Sequence, residues 1–204
     1  MRITKLLFLL LILLAAGYSC SQEDSLKAGL KNLNYKKPGG IFISPVLGAE
    51  FPTRDFVSNS KYAFCIGGKL EYSSLNIYPL VIGASIQYQN HSGADDFKTK
   101  YLLNSLSTKI TSFGASVDIL LNKYLNSSFT IPFVFLEAKM LNVKREASPE
   151  SNYPDFKSTD SKIGYGIGGG FTLYIFDIYG TYFYAKEYST VSVKMRFRFP
   201  LIKF

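Results

Sequence analysis

Cysteine and histidine are scarce in this 204-residue chain, which holds two Cys and one His. Two cysteines, Cys20 and Cys65, are too few for a disulfide scaffold. The sole histidine, His91, confines any imidazole chemistry to one short stretch. Long apolar runs are missing as well. Beyond the N-terminus nothing approaches the roughly 18–20 apolar residues that a membrane helix requires, so helical spans are excluded. The length suits one domain.

What is present begins with a charged and then greasy leader. Arg2 and Lys5 precede an unbroken apolar run from Leu6 to Ala16, followed by Gly17-Tyr18-Ser19-Cys20. This reads as a signal peptide over residues 1–19, too short to span a bilayer as a helix. Cys20 is the candidate lipidation site, placed where a lipoprotein signal has its acylated cysteine. Gly17, however, stands where such signals usually carry Leu, so plain cleavage near Ser19 and acylation at Cys20 are both open. Losing Arg2 and Lys5 lowers the formal charge from +8 to +6. The mature chain is still basic, and for an exported protein the plain partner is an anionic lipid or polysaccharide surface, not nucleic acid. Residues 20–38 are polar and read as a linker.

From Gly39 onward, aromatic and β-branched residues recur at alternate positions between turn-forming clusters, the pattern of strands. Eight segments stand out, at about 39–51, 62–73, 79–90, 106–120, 130–144, 162–174, 176–185 and 189–199. In the sharpest, VSVKMRFRF, Val191, Val193, Met195, Phe197 and Phe199 oppose Ser192, Lys194, Arg196 and Arg198. In the fourth, Leu106, Thr108 and Ile110 have the opposite parity to Phe113, Ala115, Val117 and Ile119, which predicts a bulge or a late start. Pro45 inside the first segment also predicts a bulge. Pro200 cuts off Leu201 to Phe204, which reads as a short tail. Long polar connections at 52–61, 91–105 and 145–161 all fall on the side opposite the two termini, the connections at 74–78, 121–129 and near Ile175 are shorter, and the short last connection near Lys186 to Tyr188 is the exception to the alternation.

Period two does not say which face meets water. A soluble or lipid-anchored lipocalin-like carrier would turn the greasy face inward around an apolar ligand. Three features point the other way. The polar face combines glycines with Lys69, Glu71, Asp118, Glu137, Lys139, Lys194, Arg196 and Arg198. That set suits the narrow, side-chain-filled lumen of an eight-stranded barrel better than a wetted surface. Tyrosines and phenylalanines gather near segment ends, Tyr124, Phe129 and Tyr174 among them, as in interfacial girdles. The chain ends on Phe204. Exposing Lys194, Arg196 and Arg198 to lipid would cost on the order of 6–12 kcal/mol at about 2–4 each, so the register of the last segment is strongly specified.

The leader, the eight amphipathic segments, the GYGIGGGF stretch, VSVKMRFRF and terminal Phe204 together resemble the small outer-membrane β-barrel domain family of Gram-negative bacteria, over residues 39–204. The resemblance implies an all-β, eight-stranded antiparallel up-and-down transmembrane barrel in the outer membrane. Its implied partners are membrane lipid, lipopolysaccharide and the barrel-assembly machinery, which reads Phe204. A monomer with a structural or surface-recognition role fits, with no cofactor and no catalytic position.

Gly164-x-Gly166-x-x-Gly169 spells a dinucleotide fingerprint, but no helix opens at its last glycine to receive a phosphate. Gly164, Gly166, Gly168 and Gly170 share one parity, which predicts a row that makes room in the lumen for Lys194 or Arg196. His91, Ser92 and Asp95, with Asp96, are the candidate site for the alternative of a lipid-modifying enzyme, or more weakly for a metal. Adjacent strand residues face opposite ways, so His91 and Ser92 cooperate only if that loop folds back. The lumen charges read as mutual partners that plug the barrel.

Overall fold

The structure is a computed structural model that describes residues 39–121, 130–149, 157–173 and 175–204. The signal peptide, the linker, Cys20, Tyr124, Phe129 and Tyr174 lie outside them. The strands are β1 (Gly40–Pro52), β2 (Ala63–Ser73), β3 (Leu80–Ser92), β4 (Ser105–Leu120), β5 (Ile131–Ser148), β6 (Thr159–Leu173), β7 (Phe176–Ala185), β8 (Thr190–Phe197) and β9 (Phe199–Lys203). Each of β1 to β7 pairs antiparallel with its successor, and β8 and β9 both pair with β1. Because β8 and β9 are the two halves of one broken final strand, the sheet closes as an eight-stranded up-and-down barrel.

Alternation decides what each strand shows to its surroundings. Phe64, Ile66, Leu70 and Tyr72 on β2 point outward, as do Val191, Val193 and Met195 on β8, and Phe64 is 78% exposed. Their neighbours Cys65, Lys69, Glu71, Lys194 and Arg196 are buried in the lumen. The lipocalin arrangement is thereby overturned, since the apolar belt lies outside. A continuous outer belt of Leu, Ile, Val and aromatic side chains is incompatible with water on this scale, and it is the surface that a bilayer covers.

Two irregularities fall elsewhere than the sequence suggests. β4 has no bulge. Its register with β3 runs unbroken from Leu80↔Ile119 to Ser92↔Ser107, and with β5 from Ser105↔Ser148 to Leu120↔Phe133. Leu106, Thr108 and Ile110 point inward, in phase with Ser116 and Asp118. The polarity changes along the strand while the backbone phase is kept. β1 has no bulge at Pro45 against β2, where Pro45 pairs with Gly68. On its other edge, pairing lapses between Ile43↔Phe199 and Val46↔Arg196. The residue without an N–H therefore sits opposite the break between β8 and β9, where no ladder bond is lost. Beyond that break, Leu201 to Phe204 is no loose tail: β9 pairs with β1, with a register shift between Ile41 and Phe42.

On the loop side the 53–62 segment makes a 3-10 turn, Arg54–Ser58, that drops the fully buried Phe56 into the barrel mouth. The 93–104 loop contains α1 (Asp95–Lys100), a six-residue helix.

Candidate functional site

The lumen side chains form two ionic groups. Nearer the termini, Arg196 contacts Glu71 and Asp118 at 2.9 Å each and Asp177 at 2.5 Å. Arg198 reaches the same three carboxylates at 3.2–3.4 Å, and Lys69 reaches Asp118 at 2.9 Å and Glu71 at 3.3 Å. Ser44 adds an O–H donor to Glu71 at 2.6 Å. Toward the loops, Lys194 pairs with Glu50 at 2.7 Å and Lys139 with Glu137 at 2.8 Å. Both lysines also donate to Gln87 Oε1 at 3.1 Å. Five cations thus face five carboxylates, so the lumen contents are neutral. Buried pairs of this kind survive only when each charge is compensated and hydrogen-bonded.

Rings close the remaining space. The Arg196 guanidinium lies 5.3 Å from the Phe133 ring and 5.4 Å from that of Tyr179, and Lys139 lies 5.5 Å from Phe183. A cavity of about 10 Å³ lined by Ser85, Gln87, Ser116, Glu137 and Arg196 is left between the ionic groups. That is room for about one water molecule.

The glycine row faces the lumen, but its beneficiaries differ from those expected. A Cβ at Gly164 would strike the Phe183 ring, at Gly166 Glu137, at Gly168 the Phe135 ring and at Gly170 Tyr179. The glycines therefore seat the Phe183 and Phe135 rings and the Glu137 side chain, and at Gly170 they let the β7 backbone at Ile178 and Tyr179 come close. Lys194 and Arg196 sit one strand further on, with Tyr179 and Phe183 between. Asp177, a full partner in the cluster, was missed by sequence reasoning. Its signal was available, because it shares parity with the inward Tyr179, Thr181 and Phe183.

His91, Ser92 and Asp95 do not converge. The His91 ring is fully buried in the mouth, with Nδ1 2.8 Å from the Lys61 carbonyl oxygen and Nε2 2.8 Å from Gln89 Oε1. Phe56 meets it edge-on at 4.8 Å, and Phe56 in turn meets Tyr188 at 5.5 Å. Burial pushes the Tyr188 phenol up to about 12. Ser92 points outward. Asp95 bonds Lys61 at 2.6 Å and Lys98 at 3.0 Å, tying α1 to the 53–62 segment, while Asp96 is exposed. Among the described residues, no group of His, Cys, Asp or Glu is arranged to hold a metal ion. Cys65 is buried and free.

A second feature lies on the outside. On β3 to β6 the outer face turns polar toward the loops: Asn90 and Ser92, then Ser105, Ser107, Lys109 and Thr111, then Asn142, Lys144, Glu146 and Ser148, then Thr159 and Ser161. Behind them, on β4 and β5, the inner face turns apolar, and Ile110, Leu141 and Val143 pack with Phe56, Phe183, Ala185 and Tyr188, whereas β3 and β6 keep Gln89, His91, Asp160 and Lys162 on that face. On β1, β2, β7 and β8 the outer face remains apolar to the loop end, at Phe51, Phe64, Tyr184 and Val191. The barrel therefore has a raised wall on one side.

No family model matches the chain, and no curated protein does. Among solved structures, the Neisserial surface protein A is similar over 79% of this chain and 99% of its own, at 13% identity and a TM-score of 0.48. The attachment invasion locus protein Ail of Yersinia pestis covers 79% of this chain and 98% of its own at 13% identity and a TM-score of 0.42. The same protein in complex with the heparin analogue sucrose octasulfate gives 16% identity and 0.43. The architecture of this chain is established by its own strand pairing. It is a closed eight-stranded barrel with an apolar belt outside and a packed ionic lumen within.

Proposed function

We propose that the protein is an integral outer-membrane barrel whose role is structural and recognitional, exercised from its loop side, and not an open porin. Closed antiparallel barrels with an even strand number, an apolar outer band and a polar interior are the architecture of bacterial outer membranes. The observation that carries the reading is the lumen: five cations, five carboxylates and a residual cavity of about 10 Å³. Such an interior anchors the barrel and conducts nothing. What projects beyond the belt is the raised wall together with the 53–62 and 93–104 segments, and these are the surfaces open to partners.

The belt takes outer-membrane lipid and lipopolysaccharide as its surroundings. Closure leaves no free strand edge, which favours a monomer. Phe204 is the surface that the barrel-assembly machinery reads. Its backbone N–H donates to the Gly39 carbonyl at 3.0 Å, its ring lies 6.0 Å from that of Tyr72, and it is exposed on the outer face.

Membrane fractionation combined with semi-native electrophoresis tests the reading. The protein is expected in the outer-membrane fraction with a heat-dependent mobility shift, and to give no conductance in planar bilayers. Recovery as a soluble periplasmic protein, or sustained conductance, rejects it.

A further inference from the structure

We infer that the raised wall carries a lateral site for a phosphate-bearing lipid headgroup of the loop-side leaflet, with Lys109 and Lys144 as its phosphate ligands. The inference rests on the membrane-spanning reading above and adds to it one side of the barrel, two residues and a ligand chemistry. Lys109 and Lys144 stand directly opposite each other on β4 and β5. Like charges facing across a ladder repel, and here a single carboxylate answers both: Glu146 lies 2.8 Å from Lys109 and 3.2 Å from Lys144. One positive charge is left over on a sheet face that holds both lysines side by side.

The two lysines border an open depression of about 680 Å³ on the outer face, lined also by Tyr88, Thr111, Asn142 and Ser161. Asp160 also lines it but is already engaged, at 3.2 Å from Lys162 and 3.3 Å from the Tyr188 hydroxyl. The volume falls within the roughly 300–1,000 Å³ of small-molecule sites. The floor is continuous with the apolar belt. On the outer face, Tyr88 is followed toward the membrane by Ile86, Thr111 by Phe113, Asn142 by Met140 and Ser161 by Ile163, all four of these exposed and apolar. A lipid whose chains lie along that belt brings its headgroup to the height of the lysines. Hydroxyl and amide groups at Thr111, Asn142 and Ser161 supply hydrogen-bonding partners around the phosphate. On the opposite side the strands stay apolar on their outer faces up to the rim, at Phe51, Phe64, Tyr184 and Val191, and the cations Arg54 and Lys186 lie in a loop depression that also holds Asp55 and Glu187.

The test uses the full barrel refolded in phosphatidylcholine vesicles, with added phosphatidylglycerol as the probe and native mass spectrometry of the released protein as the readout. A basic residue at an anionic membrane surface contributes about 1 kcal/mol, roughly fivefold in binding. K109A and K144A are each expected to lower retained phosphatidylglycerol about fivefold. E146Q, which frees both lysines, is expected to raise it. Phosphatidylcholine retention and the heat-dependent mobility shift should be unchanged in all three, which keeps a folding defect distinct from a lost site. If K109A does not fold, K144A and E146Q carry the test alone. Equal retention of phosphatidylglycerol by wild type, K144A and E146Q overturns the inference. Displacement of the lipid by millimolar inorganic phosphate also overturns it, because the site would then be one for a soluble anion. Failure of the wild type to enter vesicles at all would instead overturn the membrane-spanning reading.

Discussion

The lower and upper parts of β4 and β5 share strands and register yet are built on opposite rules. In the lower part Phe113, Val117, Leu136 and Met140 face out and Asp118, Glu137 and Lys139 face in. A few residues along the same strands, Lys109, Asn142 and Lys144 face out while Ile110, Leu141 and Val143 face in. The alternation of two never slips. What reverses is the medium: hydrocarbon outside the lower part, water and headgroups outside the upper part, so that the upper part assembles an ordinary hydrophobic core under Phe56 and Tyr188. The boundary between the two patterns marks where the membrane ends on this side of the barrel.

The comparison can be broken first at the ion cluster. Arg196→Met leaves Glu71, Asp118 and Asp177 with less compensation in a dry interior, and removing one partner of a buried pair costs about 3–5 kcal/mol. The expected outcome is a marked fall in the urea midpoint of the vesicle-embedded barrel. The upper core should answer to a different substitution. Phe56→Ala removes a fully buried ring and is expected to cost up to about 3–5 kcal/mol. Its effect should appear as faster protease cleavage in the 53–62 segment while the embedded strands stay protected.

The outer faces sharpen the contrast at intermediate cost. Val193→Arg places a charge in the belt and is expected to destabilise by about 2–4 kcal/mol, whereas Ser107→Arg on the raised wall should cost about 0–1. Comparable penalties at both sites would erase the boundary. The smallest effect belongs to the loops. The Lys61 and Lys98 side chains hydrogen-bonded to Asp95 hold its carboxyl below its ordinary 3.8. A carboxyl depressed in the folded state contributes stability above its unfolded value and loses it as pH falls. The tie between α1 and the 53–62 segment should therefore weaken below about pH 4, seen as faster amide exchange there and not in β8.

Much of this was legible in the sequence, because a membrane barrel writes its two faces into alternate residues. Eight strands and most of their inward charges can be read from parity, and the side carrying the long connections from their lengths and the even strand number, while Asp177 was overlooked. The strand ends on the raised wall could not. β5 continues to Ser148 and β6 begins at Thr159, where polar outward residues look like loop to a reader expecting apolar ones. The same reversal made β4 look bulged. In the sequence His91 reads as part of the solvated 91–105 loop, and its buried place in β3 was missed although it shares parity with the inward Gln87 and Gln89. Its cover by Phe56 and Tyr188 depends on contacts between residues far apart in the chain, and no local pattern records those. The glycine row was correctly assigned to a face but to the wrong neighbours, because parity says which side a residue faces and not which strand packs beside it.

Because the chain contains no tryptophan, single tryptophans can be placed one at a time and quenched by lipids brominated in their acyl chains. The account predicts strong quenching at F113W and V193W and little at S107W, although 107 and 113 lie on the same face of one strand. Equal quenching at 107 and 113, or none at 113 and 193, would contradict it.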